Sequence, residues 1–313
     1  MKKKLLIIVG PTAVGKTDTG IILADRLDGE IISADSMQIY KHMNIGTAKP
    51  SLEERQGIMH HMIDIIDPDE DFSVAEFQRL ARDVIDDLVL NQKLPIIVGG
   101  TGLYVSSLIY DMDFTKSISN RQLRKELQDE AESMGNEYVH NKLKKIDPDL
   151  ASRIHPNNVR RVIRAIEVYY ETGDTIGDFS KDIVPSDEYE PFLAGLTRNR
   201  KELYDRINKR VDIMIEQGLI EEVRNLLNSG YSEDLVSFKG LGYKEIVGYL
   251  KGEYDPDEAV RILKRNTRRY AKRQLTWFRR YSNINWYNVS DYQTDENLVE
   301  HIIKDFKGYF NLL

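Results

Sequence analysis

The stretch Gly10-Pro11-Thr12-Ala13-Val14-Gly15-Lys16-Thr17 constrains this chain more than any other. It has the spacing G-x-x-x-x-G-K-[ST], in which glycines let the backbone curl until several N–H groups point at one anion. A helix opening at Lys16 adds the positive end of its dipole to the same place. Lys16 supplies a mobile positive charge for phosphate oxygens, and the Thr17 hydroxyl can ligate Mg2+. Such a loop works only between a strand and a helix. Residues 5–9 form a short apolar run that reads as a buried parallel strand, and residues 16–27 read as a helix.

The pattern repeats downstream. Residues 30–34 read as a second strand ending at Asp35, and residues 94–98 as a third ending in Gly99-Gly100-Thr101. Between them Ser73-Val-Ala-Glu76 has the form of a capping box that opens a helix. Strands alternating with helices predict an α/β fold: a P-loop NTPase-like parallel sheet flanked by helices. From residue 114 to residue 189 strand-like runs vanish. Helical patterns take over at 121–134, 137–145 and 157–172, the last closed by Gly173, and Pro148 stands where a helix can begin. The expected organisation is therefore an α/β core of residues 1–113 and 190–313 with an inserted helical lobe at 114–189. Residues 191–195 return to the sheet. Long helices follow at 200–217, 220–229 and 257–281, and residues 284–289 read as a last strand.

Composition narrows the function classes. With no cysteine there is no disulfide and no thiolate metal site. The apolar run after Lys2-Lys3-Lys4 stops at Gly10-Pro11, too short for a secretory signal, and no run is long enough to cross a membrane. A cytoplasmic protein is the joint expectation, and a monomer is expected. The formal net charge of -7 opposes global attraction to nucleic acid. Yet residues 261–280 hold nine basic and no acidic residues, enough to grip a polyphosphate or RNA backbone locally.

A hydrolytic P-loop ATPase normally ends a later apolar strand in a carboxylate. The third strand here ends instead in glycines and Thr101, so the acid nearest the phosphates is expected to be Asp35. The carboxyl ends of parallel strands form the ligand crevice, so Lys16, Thr17, Asp35 and Thr101 should converge there. Asp35 could ligate Mg2+ or take a proton from a nucleophile; capping the next helix is the plainer alternative, for Asp35 and Thr101 alike. His60-His61 lacks a third metal ligand and reads as structural, and Trp277, Phe278 and Tyr281 read as packing.

Further motifs resemble the tRNA dimethylallyltransferase family, bacterial type, in order along nearly the whole chain. They are the loop at 10–17, Asp35-Ser36-Met37-Gln38-Ile-Tyr40 with Asn44-Ile-Gly-Thr-Ala-Lys-Pro50, His60-His-Met-Ile-Asp64 with Asp67-Pro68, and Gly99-Gly-Thr-Gly-Leu-Tyr104. Arg160-Arg161-Val-Ile-Arg164-Ala-Ile-Glu167, Gly242-Tyr243-Lys244-Glu245 and Thr267-Arg-Arg-Tyr-Ala-Lys-Arg-Gln-Leu-Thr-Trp277 complete the set. The resemblance implies attack by the exocyclic N6 of adenine 37 of tRNA, beside the anticodon, on dimethylallyl diphosphate, with pyrophosphate leaving and Mg2+ as cofactor. It implies Asp35 as the proton acceptor, Thr101 as support for the reacting centre, and Arg124 as a contact to the leaving diphosphate, with Arg224 a weaker candidate. It maps tRNA contacts to Asp35, Ser36, Met37 and Gln38, to Arg160, Arg161 and Arg164, and to Lys239, Gly242, Tyr243 and Lys244. Solvated or salt-bridged helix faces are the ordinary alternative for each of these arginines. Two departures are visible: no cysteine-based zinc finger of the eukaryotic type is possible, and Val14 stands where many members have Ser.

Three other readings compete: a P-loop kinase of small molecules, a prenyltransferase acting on free adenine nucleotides, and an RNA-binding ATPase without prenyl chemistry.

Overall fold

The computed structural model describes residues 2–112, 120–173 and 184–312. They fall into two compact units, Met1–Ile109 with Ser186–Leu313, and Tyr110–Pro185. Among the described residues the larger unit carries one six-stranded sheet. Its strands are β1 (Lys3–Val9), β2 (Gly29–Ala34), β3 (His60–His61), β4 (Leu94–Gly99), β5 (Tyr189–Thr197) and β6 (Ile284–Asn288). They lie in the order β3-β2-β4-β1-β5-β6, every pair parallel. Apolar residues at every position of 5–9 follow from this placement. β1 is central and covered on both faces, and Leu5, Leu6, Ile7, Ile8 and Val9 have no exposed surface.

The helices are α1 (Lys16–Arg26), α2 (Val74–Leu90), α3 (Gly102–Ile109), α4 (Arg121–Met134), α5 (Asn136–Ile146), α6 (Pro148–Arg153), α7 (Val159–Thr172), α8 (Arg200–Glu216), α9 (Leu219–Asn228), α10 (Tyr243–Leu250), α11 (Pro256–Phe278) and α12 (Asp295–Tyr309). The box that opens α2 is complete: Glu76 N–H donates to Ser73 Oγ at 3.2 Å and Ser73 N–H to Glu76 Oε2 at 2.7 Å. α11 starts on Asp255, whose side chain accepts from Glu258 N–H at 2.8 Å, with Pro256 in the first turn where no N–H is needed. β3, α3, α10 and α12 go beyond what the sequence pattern predicts.

Two apolar clusters of the larger unit bear on the site. One joins β1, β4 and β5 to α1 and α12 through residues such as Ile8, Val14, Ile96 and Phe306. The other packs Ile39, Tyr40 and Met43 against α9, α10 and α11. The smaller unit holds α4 to α7 around Leu127, Val139, Leu143, Val162 and Ile166. Asn120 caps the start of α4 and Asp147 that of α6, and α7 stops at Gly173 in the left-handed region. Residues 114–119 and 174–183 of the expected lobe lie outside the described residues.

The sheet register positions the site. Val9 pairs with both Gly99 and Gly195, and Gly99 also pairs with Ala34. β1, β2 and β4 therefore end level, and residue 10, Asp35 and Gly100 leave the sheet side by side.

Candidate active site

The phosphate loop takes a shape that its glycines permit. Gly10 has φ +151°, and a Cβ there would lie 2.6 Å from the Leu196 carbonyl oxygen. Gly15, at φ +113°, turns the chain into α1. Ala13 also sits at positive φ, +63°, and its carbonyl accepts from Arg206 Nε at 2.9 Å. Gln274 on α11 fixes the loop from the other side. Its Oε1 accepts from Thr12 N–H at 2.8 Å, while its Nε2 donates to the Gly100 carbonyl at 3.0 Å. One buried side chain thus ties the loop to the end of β4.

Lys16 curls back so that its ammonium donates to the Pro11 carbonyl at 2.8 Å. Burial and then the nearby Arg210 guanidinium lower its pKa to about 8, against the pull of Asp35. Asp35 responds oppositely: burial raises its carboxyl above the usual range, while the N–H of Met37, the charge of Lys16 and the N–H of Gln38 oppose the rise. Its Oδ1 accepts from Met37 N–H at 2.8 Å and from Gln38 N–H at 3.4 Å. No helix directly follows Asp35, so it caps none: Oδ1 closes the turn at 36–39, and Oδ2 makes no hydrogen bond to the described residues. Thr101 stands behind the acid, its Oγ1 accepting from Ser36 N–H at 3.0 Å.

Two cavities meet at Asp35. The smaller, about 90 Å³, is lined by Thr12, Lys16, Thr17, Asp35, His60 and Arg210, among others. The larger, about 280 Å³, is lined by Asp35, Ser36, Met37, Lys239, Gly242 and Lys244 with Arg210, Tyr270 and Arg273. Thr12, Asp35, Thr47, Ala48, Arg210 and Tyr270 border both. A basic groove of about 770 Å³, including Arg55, Arg206, Lys209 and Arg210, adjoins them. Asp35 is the one carboxylate among the described residues lining the smaller cavity, which suits Mg2+: that ion uses few protein ligands and keeps phosphate oxygens and waters. Thr17 and Asp35 are the residues that could hold it.

Not every expected residue lines these cavities. Thr101 and Tyr243 do not; Tyr243 is wholly buried at the start of α10. The side chain of Gln38 is spent on tethering. Its Oε1 accepts from Ser33 Oγ at 3.0 Å, and its Nε2 donates to the carbonyls of Thr47 and Ala48 at 3.4 and 3.2 Å. Arg224 is exposed on α9 and pairs with Glu221 at 3.4 Å. In the smaller unit Arg124 and Arg164 converge on the fully buried Glu167, at 2.7 and 2.6 Å, while Arg160 and Arg161 are exposed. Arg164 thus takes the salt-bridged alternative, apart from Arg160 and Arg161. His61 meets Glu30 at 2.7 Å, whereas His60 Nδ1–H donates to the Ile58 carbonyl at 2.9 Å and leaves Nε2 unpartnered among the described residues.

Sequence reasoning missed Arg210, Arg206, Tyr270 and Gln274 as site residues. A signal existed for each. Arg206 and Arg210 are one turn apart on α8, and Thr267, Tyr270 and Gln274 lie on one stripe of α11.

Known proteins are similar to this chain along its whole length. A sequence profile described as IPP transferase matches residues 38–281, and one described as isopentenyl transferase matches residues 3–70. A curated tRNA dimethylallyltransferase of Alkaliphilus oremlandii is 69% identical over 100% of both chains, and that of Alkaliphilus metalliredigens is 64% identical over 100% of both. Among solved structures, a tRNA isopentenylpyrophosphate transferase from Bacillus halodurans superposes with TM-score 0.74 at 46% identity, covering 99% of each chain. A eukaryotic dimethylallyltransferase acting on tRNA gives TM-score 0.82 at 30% identity, covering 99% of this chain and 80% of that one. The P-loop sheet, the acid at the end of β2 and the full-length match to these relatives establish that this chain belongs to the IPP transferase family.

Proposed function

We propose that this protein is a tRNA dimethylallyltransferase that moves the five-carbon group of dimethylallyl diphosphate onto N6 of adenine 37 of tRNA. The observation that carries the proposal is Asp35, whose carboxylate borders both the phosphate-loop cavity and the wider cavity rimmed by Lys239, Lys244 and Arg273. A diphosphate fits the first and a base turned out of an anticodon loop fits the second. The naming of full-length relatives as tRNA dimethylallyltransferases supports the same reading.

The chemistry balances with groups in place. N6 forms a bond to the first carbon of the allylic chain as the C–O bond to diphosphate breaks. The allylic carbon ionises readily, so catalysis consists mainly of stabilising the departing charge. Loop N–H groups, Lys16 and Arg210 surround that charge. The Thr17 hydroxyl would help to hold Mg2+, which would supply further neutralisation of that charge. Asp35 Oδ2 accepts the N6 proton, and its raised pKa makes it a better base than an ordinary carboxylate. Thr101 steadies the backbone behind that acid. The exposed Arg160 and Arg161 of the smaller unit serve as contacts for tRNA phosphates, while Arg124 and Arg164 are held by Glu167. The acting species in this proposal is a single chain.

One incubation tests the proposal: protein, Mg2+, labelled dimethylallyl diphosphate and unmodified tRNA, beside parallel reactions with AMP and with ATP. Label entering tRNA but not AMP is the expected result, and Asp35→Ala should lower that rate by about 10²-fold or more while tRNA still binds. Label on AMP indicates the nucleotide prenyltransferase. ATP turnover without prenyl transfer indicates a kinase or ATPase. The missing carboxylate at the end of β4 and the tRNA-modifying relatives leave those three readings disfavoured.

A further inference from the structure

Glu222 on α9 lines none of the cavities, yet two walls of the larger one are fastened to it. One wall is the loop that carries Gly46, Thr47 and Ala48; the other runs from Lys239 to Lys244 into α10. Glu222 Oε2 accepts from the N–H groups of Asn44 and Ile45 at 2.9 and 2.8 Å. Its Oε1 accepts from Gly46 N–H at 3.1 Å and from the Tyr243 hydroxyl at 2.7 Å. Three successive backbone donors and a phenol thus converge on one carboxylate, which is the side chain with enough acceptor sites to satisfy them.

The contact is shaped as well as charged. Gly46 presses against the Tyr243 ring, and a Cβ on Gly46 would lie 2.5 Å from Tyr243 Cε2. Tyr243 has no exposed surface, so its ring has nowhere to yield. The far end of the loop is held separately, by the Gln38 amide on Thr47 and Ala48. Between these two anchors the loop has fixed ends, and its residues face the space next to Asp35.

We infer that Glu222 is a positioning residue that sets the width of the larger cavity by clamping the 44–48 loop to the start of α10. The inference rests on the proposed function only for the identity of what fills that cavity, the adenine of tRNA. Glutamine at 222 keeps the volume but offers one oxygen and turns an NH2 donor toward backbone donors. It therefore releases at least one of the four hydrogen bonds.

The test compares the Michaelis constants of Glu222→Gln, Tyr243→Phe, Gly46→Ala and the Glu222→Gln/Tyr243→Phe double variant, each assayed well below its own Tm. The expected result is a KM for tRNA raised by about tenfold in Glu222→Gln, with KM for dimethylallyl diphosphate changed by less than about twofold. Gly46→Ala should move the same constant in the same direction with Glu222 intact. Tyr243→Phe should have a smaller effect that is less than additive with Glu222→Gln, because both remove the same bond. An unchanged KM for tRNA in Glu222→Gln overturns the inference, as does an equal rise in both constants that follows loss of folded protein. Should Glu222→Gln not fold, Tyr243→Phe and Gly46→Ala decide by the same two constants. Wild-type protein that fails to label tRNA refutes the proposed function alone; the clamp is then judged by the affinity of each variant for an unmodified anticodon stem-loop.

Discussion

Lys16 and Asp35 show how one cavity displaces two charges in opposite directions. Burial disfavours the ionised form of each, lowering the lysine and raising the acid, and their mutual attraction offsets only part of this. The lysine has the more testable consequence. With its pKa brought down to about 8, the ammonium is fully present below that value and is lost as pH rises through it. Binding of a diphosphate needs the ammonium, and phosphate ionisation is already complete below this window. Affinity for dimethylallyl diphosphate should therefore be level up to about pH 7.5 and then fall, by at most about tenfold per unit. Lys16→Arg binds with a guanidinium that stays charged, so its affinity should not show this fall. Calorimetric titration of both proteins between about pH 6.5 and 9.5 checks the point, and a wild-type affinity that stays level throughout this range would discard it.

Helix α11 shows what an element reveals and hides in sequence. Its basic run is visible there, but the run is not one surface. Arg261 pairs with Glu258 and Lys264 with Asp212, each at 2.5 Å. Arg268 donates to Asn208 at 2.6 Å and lies over the Tyr204 ring. Arg269, Lys272 and Arg273 are exposed without an ion pair among the described residues. Removing those three charges should flatten the dependence of tRNA affinity on salt by about 0.7 for each RNA phosphate that is no longer neutralised, while Arg268→Ala should chiefly lower Tm. A salt slope unchanged in the triple variant would show that this stretch does not touch RNA phosphates. The same helix carries Tyr270 and Gln274, whose shared stripe with Thr267 is visible in sequence, but only the fold shows that this stripe faces the cavities. Elements with strong punctuation were legible: the strand and helix around the phosphate loop, the Ser73 cap, the Asp35 strand end and the α4 span. α3 was not, because Gly102–Ile109 is buried on most sides and has no polar face to set a period. β3 was not, because two residues carry no alternation. Arg224 illustrates the converse: its neighbour Glu222 holds the cavity wall while the arginine itself is exposed, a choice made by helix phase alone.

At the scale of the whole chain, the smaller unit interrupts the larger one between α3 and β5. β5 pairs with β1 along seven residues, from Lys3 with Tyr189 to Val9 with Gly195, so the core needs chain from both sides of the interruption. The two ends of the interruption are already joined: Ser186 N–H donates to the Ile109 carbonyl at 3.0 Å. A few glycines can close that gap at little entropic cost. The larger unit also keeps these apolar clusters and every residue of the two cavities. Replacing residues 111–184 by about four glycines should then leave a chain that unfolds cooperatively, which calorimetry reads, and that binds dimethylallyl diphosphate within about tenfold of the full chain. Transfer to tRNA should be lost if the proposed tRNA contacts of Arg160 and Arg161 are needed, since both go with the smaller unit. Loss of both cooperative unfolding and diphosphate binding would mean that the sheet depends on the interrupting helices for its stability. Retained transfer would mean that those arginines are not needed for the reaction.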